Sequence, residues 1–87
     1  MVMTADEVLD KVRQGEMLRG ADLRELLLEK AQLVGAKLPG CDLSAARLMG
    51  AEIRGSDLTG ACLEGTDFRY ADVREVQFPG AKLVRAK

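Results

Sequence analysis

The amino-acid sequence predicts an all-β solenoid, a chain wound into stacked coils of short sides, with one short helix ahead of it. Three observations predict it. A large apolar residue recurs at every fifth position from Leu18 to Leu83, a small residue stands two places before most of them, and glycine stands two places after eight of them.

The repeat is continuous. From Glu16 to Arg85 the chain divides into fourteen blocks of five without insertion or deletion, and all fourteen central residues are large and apolar: Leu18, Leu23, Leu28, Leu33, Leu38, Leu43, Leu48, Ile53, Leu58, Leu63, Phe68, Val73, Phe78 and Leu83. An α-helix turns about 140° over five residues, which scatters these side chains around its circumference. A flat strand sends successive ones to opposite faces. A coil with sides one block long points every central residue inward and turns at the glycine. Leu38-Pro39-Gly40-Cys41 and Phe78-Pro79-Gly80-Ala81 suit type II turns, with proline presetting the second position and glycine supplying positive φ at the third. The two Pro-Gly corners lie forty residues apart, favouring a twenty-residue, four-sided coil over a fifteen-residue one, although the glycines form columns at both periods.

The blocks Ala21-Asp22-Leu23-Arg24-Glu25 and Ala71-Asp72-Val73-Arg74-Glu75, with Cys41-Asp42-Leu43, Ser56-Asp57-Leu58 and Thr66-Asp67-Phe68, resemble the A(D/N)LXX signature of the pentapeptide repeat family, and the resemblance covers residues 16–85. It implies a right-handed quadrilateral β-helix, here of about 3.5 coils. The expected division is a capping helix over 1–15 and the repeat over 16–87.

Residues 4–14 form the predicted helix. Thr4 and Glu7 have capping-box spacing, Val8, Leu9 and Val12 share a face, and Gly15 can end it in the left-handed conformation. Its expected role is to cover the open first coil at Leu18, Leu23 and Leu28, as solenoid ends require. Leu26, at a small-residue position, is expected to swell that coil. Met1, Val2 and Met3 are read as including a leftover of expression, Met3 being an equally plausible start.

At the other end only Ala86 and Lys87 follow the repeat, with no predicted cap. Val76 replaces a small residue, Tyr70 and Glu75 replace glycine, and both phenylalanines lie here. An uncovered coil edge is a template for pairing. The expected interface comprises Phe68, Val73, Val76, Phe78, Leu83 and Val84, used for end-to-end homodimerisation, with docking on another protein and simple fraying as alternatives.

Chemistry is sparse. There is no histidine among the 87 residues. Cys41 occupies an inward small position, and Cys62, beside the inward Leu63, is expected to face solvent as an inert thiol. One pointing in and one out, they do not suit a disulfide. Asp22 with Asp42, and Glu52 with Asp72, should stack one coil apart, but Arg54, Arg74 and Lys82 interleave them, so a solvated, charge-balanced surface is expected rather than acid–base or metal chemistry. No zinc, calcium, phosphate or dinucleotide motif is present. The expectation is therefore no enzyme and no cofactor.

Thirteen basic and fourteen acidic residues leave a net charge of -1, no electrostatic basis for binding nucleic acid or a membrane. No apolar run is long enough to span a bilayer, and two thiols without a signal-peptide pattern point to a cytoplasmic, reduced setting. The family resemblance also brings a subgroup that mimics duplex DNA and binds type II topoisomerases such as DNA gyrase. Duplex DNA carries one charge per about 1.7 Å. Three and a half coils at about 4.8 Å spacing would need about ten net negative charges. Residues 16–85 hold eleven acidic and ten basic residues. The sequence thus favours a non-enzymatic scaffold or adaptor with a protein partner, DNA mimicry being the alternative.

Overall fold

The computed structural model describes residues 2–81, a body of 29 × 24 × 21 Å. Its ladder has a single register. Residues pair with those twenty positions later through parallel bridges, from Met17 with Lys37 and Asp22 with Asp42 to Asp57 with Gln77. The coil therefore has four five-residue sides. Each side is too short to make an extended strand and contributes an isolated bridge. Four faces result, named here by their first central residue: the Leu18 face (16–20, 36–40, 56–60, 76–80), the Leu23 face (21–25, 41–45, 61–65), the Leu28 face (26–30, 46–50, 66–70) and the Leu33 face (31–35, 51–55, 71–75).

Backbone groups are satisfied between coils in a fixed pattern. On the Leu23 face, Asp42 N–H donates down to Ala21 O at 3.0 Å, while Leu23 and Glu25 N–H donate up to Asp42 O and Ser44 O at 2.8 and 2.9 Å. The corners are closed by the next block, whose first amide donates to the preceding central carbonyl, from Ala31 to Leu28 (3.1 Å) through Ala81 to Phe78 (2.9 Å). Only the third corner residue has positive φ, the type II pattern expected for 38–41 and 78–81.

Side chains follow the same alternation. Central residues from Leu18 to Leu63 are buried, and the small residues from Ala31 to Thr66 are buried beside them, forming one continuous core. Leu26 is partly buried against this core without widening the ladder, since Arg47 N–H to Leu26 O and Leu28 N–H to Arg47 O keep lengths of 2.9 and 2.8 Å. The expected swelling is thus corrected: the backbone on either side of Leu26 holds register, and its side chain rests at the edge of the core.

Helix α1 spans Ala5–Arg13. Thr4 caps it, with Glu7 N–H donating to Thr4 Oγ1 at 3.2 Å and Thr4 N–H donating to Glu7 Oε1 at 2.8 Å. Gly15 follows with φ +75, the left-handed exit that favours glycine. Val8 is fully buried, and Leu9 and Val12 pack partly buried against the cluster that contains Leu18, Leu23 and Leu28. Met3, 7% exposed, belongs to this core and Val2 pairs with Asp22. Met3 stands twenty residues before Leu23 and continues its column below the first coil.

Five corner residues other than glycine hold the left-handed conformation: Glu25, Lys30, Ala45, Tyr70 and Glu75, at φ of 58 to 64. That conformation costs a residue with a Cβ about 1–2 kcal/mol. Replacing Ala45 by glycine should therefore stabilise the fold by up to about 1 kcal/mol after the added entropy of the unfolded chain, whereas Gly40→Ala should destabilise it by about 1–2 kcal/mol. Urea unfolding of both variants measures the opposite signs.

Candidate functional site

Two parts of the surface concern function: the charged side faces, and the last described coil. The sides are built from a repeated local motif. The aspartate before the central residue turns back and accepts the amide two residues on. This occurs at Asp22–Arg24 (3.2 Å), Asp42–Ser44 (3.0 Å), Asp57–Thr59 (2.9 Å), Asp67–Arg69 (3.1 Å) and Asp72–Arg74 (3.2 Å). The residue at that second position then uses its own side chain on the same carboxylate: the guanidiniums of Arg24, Arg69 and Arg74 pair at 2.8, 2.8 and 2.6 Å, and the Ser44 hydroxyl donates at 2.6 Å. The sequence showed the aspartates as a signature but not this backbone role, which would have been legible from their recurrence two residues before Arg, Ser or Thr.

These contacts set the electrostatics. Asp22 and Asp72 are each held down at about 2 against an ordinary 3.8, first by the side-chain hydrogen bond from Arg24 or Arg74 and then by that residue's amide. The Thr59 hydroxyl lowers Asp57 in the same way, and Glu7 is lowered by its capping bond to Thr4. Asp22 and Asp42 stack as the sequence implied, with Arg24 between them, 4.0 Å from the second carboxylate. Glu52 and Asp72 also stack, with Arg74 on Asp72. Each column thus holds two carboxylates with one arginine gripping one of them, and no group of residues suited to hold a metal ion occurs among the described residues.

Inside, Cys41 Sγ donates to Leu18 O, Ser56 Oγ to Leu33 O (2.7 Å) and Thr66 Oγ1 to Leu43 O (2.8 Å). Each polar atom at a small inward position thus finds a central carbonyl of the coil beneath. Burial pushes the Cys41 thiol up, away from the reactive thiolate. Cys62 is half-buried, its Sγ 3.1 Å from Ser44 Oγ, and both cysteines are free.

The last described coil is packed less completely. Phe68 and Phe78 meet edge to face, with ring centres 6.4 Å apart, but both remain partly exposed, as does Val76, and Val73 is 44% exposed. The central residues one coil below, Leu48, Ile53 and Leu58, are buried. Four of the residues expected at the interface are thereby brought to one end. Leu83 and Val84, like Lys82, lie outside the described residues.

A family model described as pentapeptide repeats, with eight copies, matches residues 27–65 and 46–85. The chain belongs to this family. The crystal structure of the pentapeptide repeat protein Rfr23 from the cyanobacterium Cyanothece 51142 superposes with a TM-score of 0.74 at 31% identity, over 76% of this chain and 46% of that one. This pentapeptide repeat chain spans less than half the length of Rfr23. No curated protein matches it. Membership makes the solenoid a right-handed β-helix, and pentapeptide repeat proteins are generally structural or interaction modules rather than enzymes. No helix among the described residues is long and apolar enough to cross a membrane.

The low carboxylate values give a pH dependence. A folded value below the unfolded one means that the ionised Asp22 and Asp72 favour the fold, fully above about 4 and progressively less as pH falls from about 4 toward 2. The urea midpoint should drop across that window. In Asp22→Asn/Asp72→Asn the drop should be shallower, and an unchanged slope would rule out these two as its source.

Proposed function

We propose that the chain is a non-enzymatic protein-interaction module, a scaffold or adaptor of the cytoplasm, that self-associates end to end through its last coil. The observation that carries the reading is the loss of burial along the solenoid axis. The apolar column is closed from Leu23 to Leu63, then opens at Phe68, Val73, Val76 and Phe78. Fourteen blocks would make about three and a half coils and place these side chains around one end.

A second copy meeting that end would cover apolar surface and the inter-coil hydrogen-bonding groups at once. Two phenylalanines near the centre of such a contact would supply much of its energy, as aromatic anchors do elsewhere. Burying the exposed part of each apolar side chain contributes about 25 cal/mol per Å². The neutralised pairs on the sides leave them mixed in charge, suited to contacts with other proteins.

Sedimentation equilibrium tests the reading. The protein should sediment as a dimer at micromolar concentration, and Phe78→Glu should convert it to monomer with its circular dichroism retained. A wild-type monomer at high micromolar concentration, or a Phe78→Glu dimer, would remove the last coil as the interface.

A further inference from the structure

We propose that the Leu28 face is a docking surface for an acidic, leucine-bearing extended segment of another protein. This rests on the reading of the chain as an interaction module and names the face and the partner's chemistry. Three observations mark the face.

The first is backbone strain. Four of the five left-handed residues that are not glycine border it: Glu25 and Ala45 at one corner, Lys30 and Tyr70 at the other. The corner column 20, 40, 60, 80 is glycine throughout. Strain of this kind persists where side-chain identity serves something other than stability. Tyr70 is the sharpest case, since the residue is 89% exposed and adds little to the core while its backbone sits at φ 64.

The second is exposed apolar surface. Leu27, 65% exposed, the half-buried Met49 and Tyr70 span all three layers of this face. Beside them lies a groove of about 350 Å³, lined by Ala45, Arg47, Met49, Gly65, Asp67 and Arg69. Tyrosine, arginine, methionine and leucine together resemble the centre of a binding patch more than a solvated side.

The third is charge. The Leu28 face carries Lys30, Arg47 and Arg69 against Glu29 and Asp67, a net of +1 from three cations and two carboxylates. The adjoining Leu23 face carries Arg24 against Asp22, Glu25, Asp42 and Glu64, a net of -3. Arg24, Arg69 and Arg74 each neutralise the aspartate two residues before them, but Arg47 follows Ala45 at that spacing, and no ion pair within 4.0 Å involves it among the described residues. Arg47 lines the groove and lies one coil beneath Asp67, whose carboxylate Arg69 already grips. An incoming carboxylate can take Arg47 while a neighbouring leucine lies against Met49 and Tyr70.

The test is a titration of isotope-labelled protein with a short peptide alternating glutamate and leucine, followed by amide resonances, with a lysine–leucine peptide as control. The acidic peptide should shift residues 46–50 and 66–70, and the basic one should not. Arg47→Glu and Tyr70→Gly should each weaken binding about tenfold, and Tyr70→Gly should at the same time raise the unfolding midpoint because its strain is relieved. Glu75→Gly, which relieves strain away from this face, and Arg54→Glu on the Leu33 face should bind as the wild type does. Shifts confined to another face, equal binding of the two peptides, no binding, or full affinity in Tyr70→Gly would each overturn the assignment. Dimerisation, measured separately by sedimentation, decides the module reading whichever way this titration falls.

Discussion

The structure depends on a single constraint: an inward apolar residue stacks on those twenty residues before and after it, so every coil must be twenty residues long. The parallel ladder enforces this, because its amides and carbonyls meet only when the coil length is constant. The left-handed third corner residue follows from the same demand. A side of five residues leaves room for one tight turn, and the type II geometry supplies it. Where glycine is missing, as at Ala45 and Tyr70, the ladder still imposes the conformation, which shows how strongly stacking overrides local preference.

The side-chain chemistry divides along the same lines. Inward polar atoms at Ser56 and Thr66 are tolerated because a central carbonyl of the neighbouring coil lies within reach, so burial leaves no group unsatisfied among the described residues. Outward aspartates accept amides of their own block and draw the following arginines onto themselves. Those carboxylates are consumed by the architecture. At Asp22 and Asp72 the local bonds hold the carboxylate ionised, with an arginine on it.

Most of the fold was legible because the repeat is short and unbroken. The positions of Leu18 to Leu63 in the core, the capping box at Thr4 and Glu7, and the corners at Pro39 and Pro79 all follow from spacing and residue type. The glycine columns alone fitted coils of fifteen or twenty residues, since both numbers are multiples of five; the i to i+20 bridges decide between them. Met3 and Val2 escaped because neither carries the motif, although counting twenty back from Leu23 reaches Met3. The paired aspartates were visible as a pattern, yet their grip on the backbone two residues ahead is a matter of side-chain rotamer. The Leu28 face was invisible for a different reason: Leu27, Met49 and Tyr70 are scattered in sequence, and only winding the chain places them on one face.

The uniform spacing has an evolutionary corollary. Removing a whole coil would shorten the solenoid and leave every remaining face chemically unchanged. Removing one block would preserve the core equally well, since one leucine replaces another, but everything after the cut would rotate by a quarter turn. Arg47 would then come to stand above a residue of a different face. In such a chain the interior tolerates small deletions that scramble the exterior, so the length of an insertion or deletion, counted in fives or in twenties, separates changes that merely resize the molecule from those that rewrite its surface.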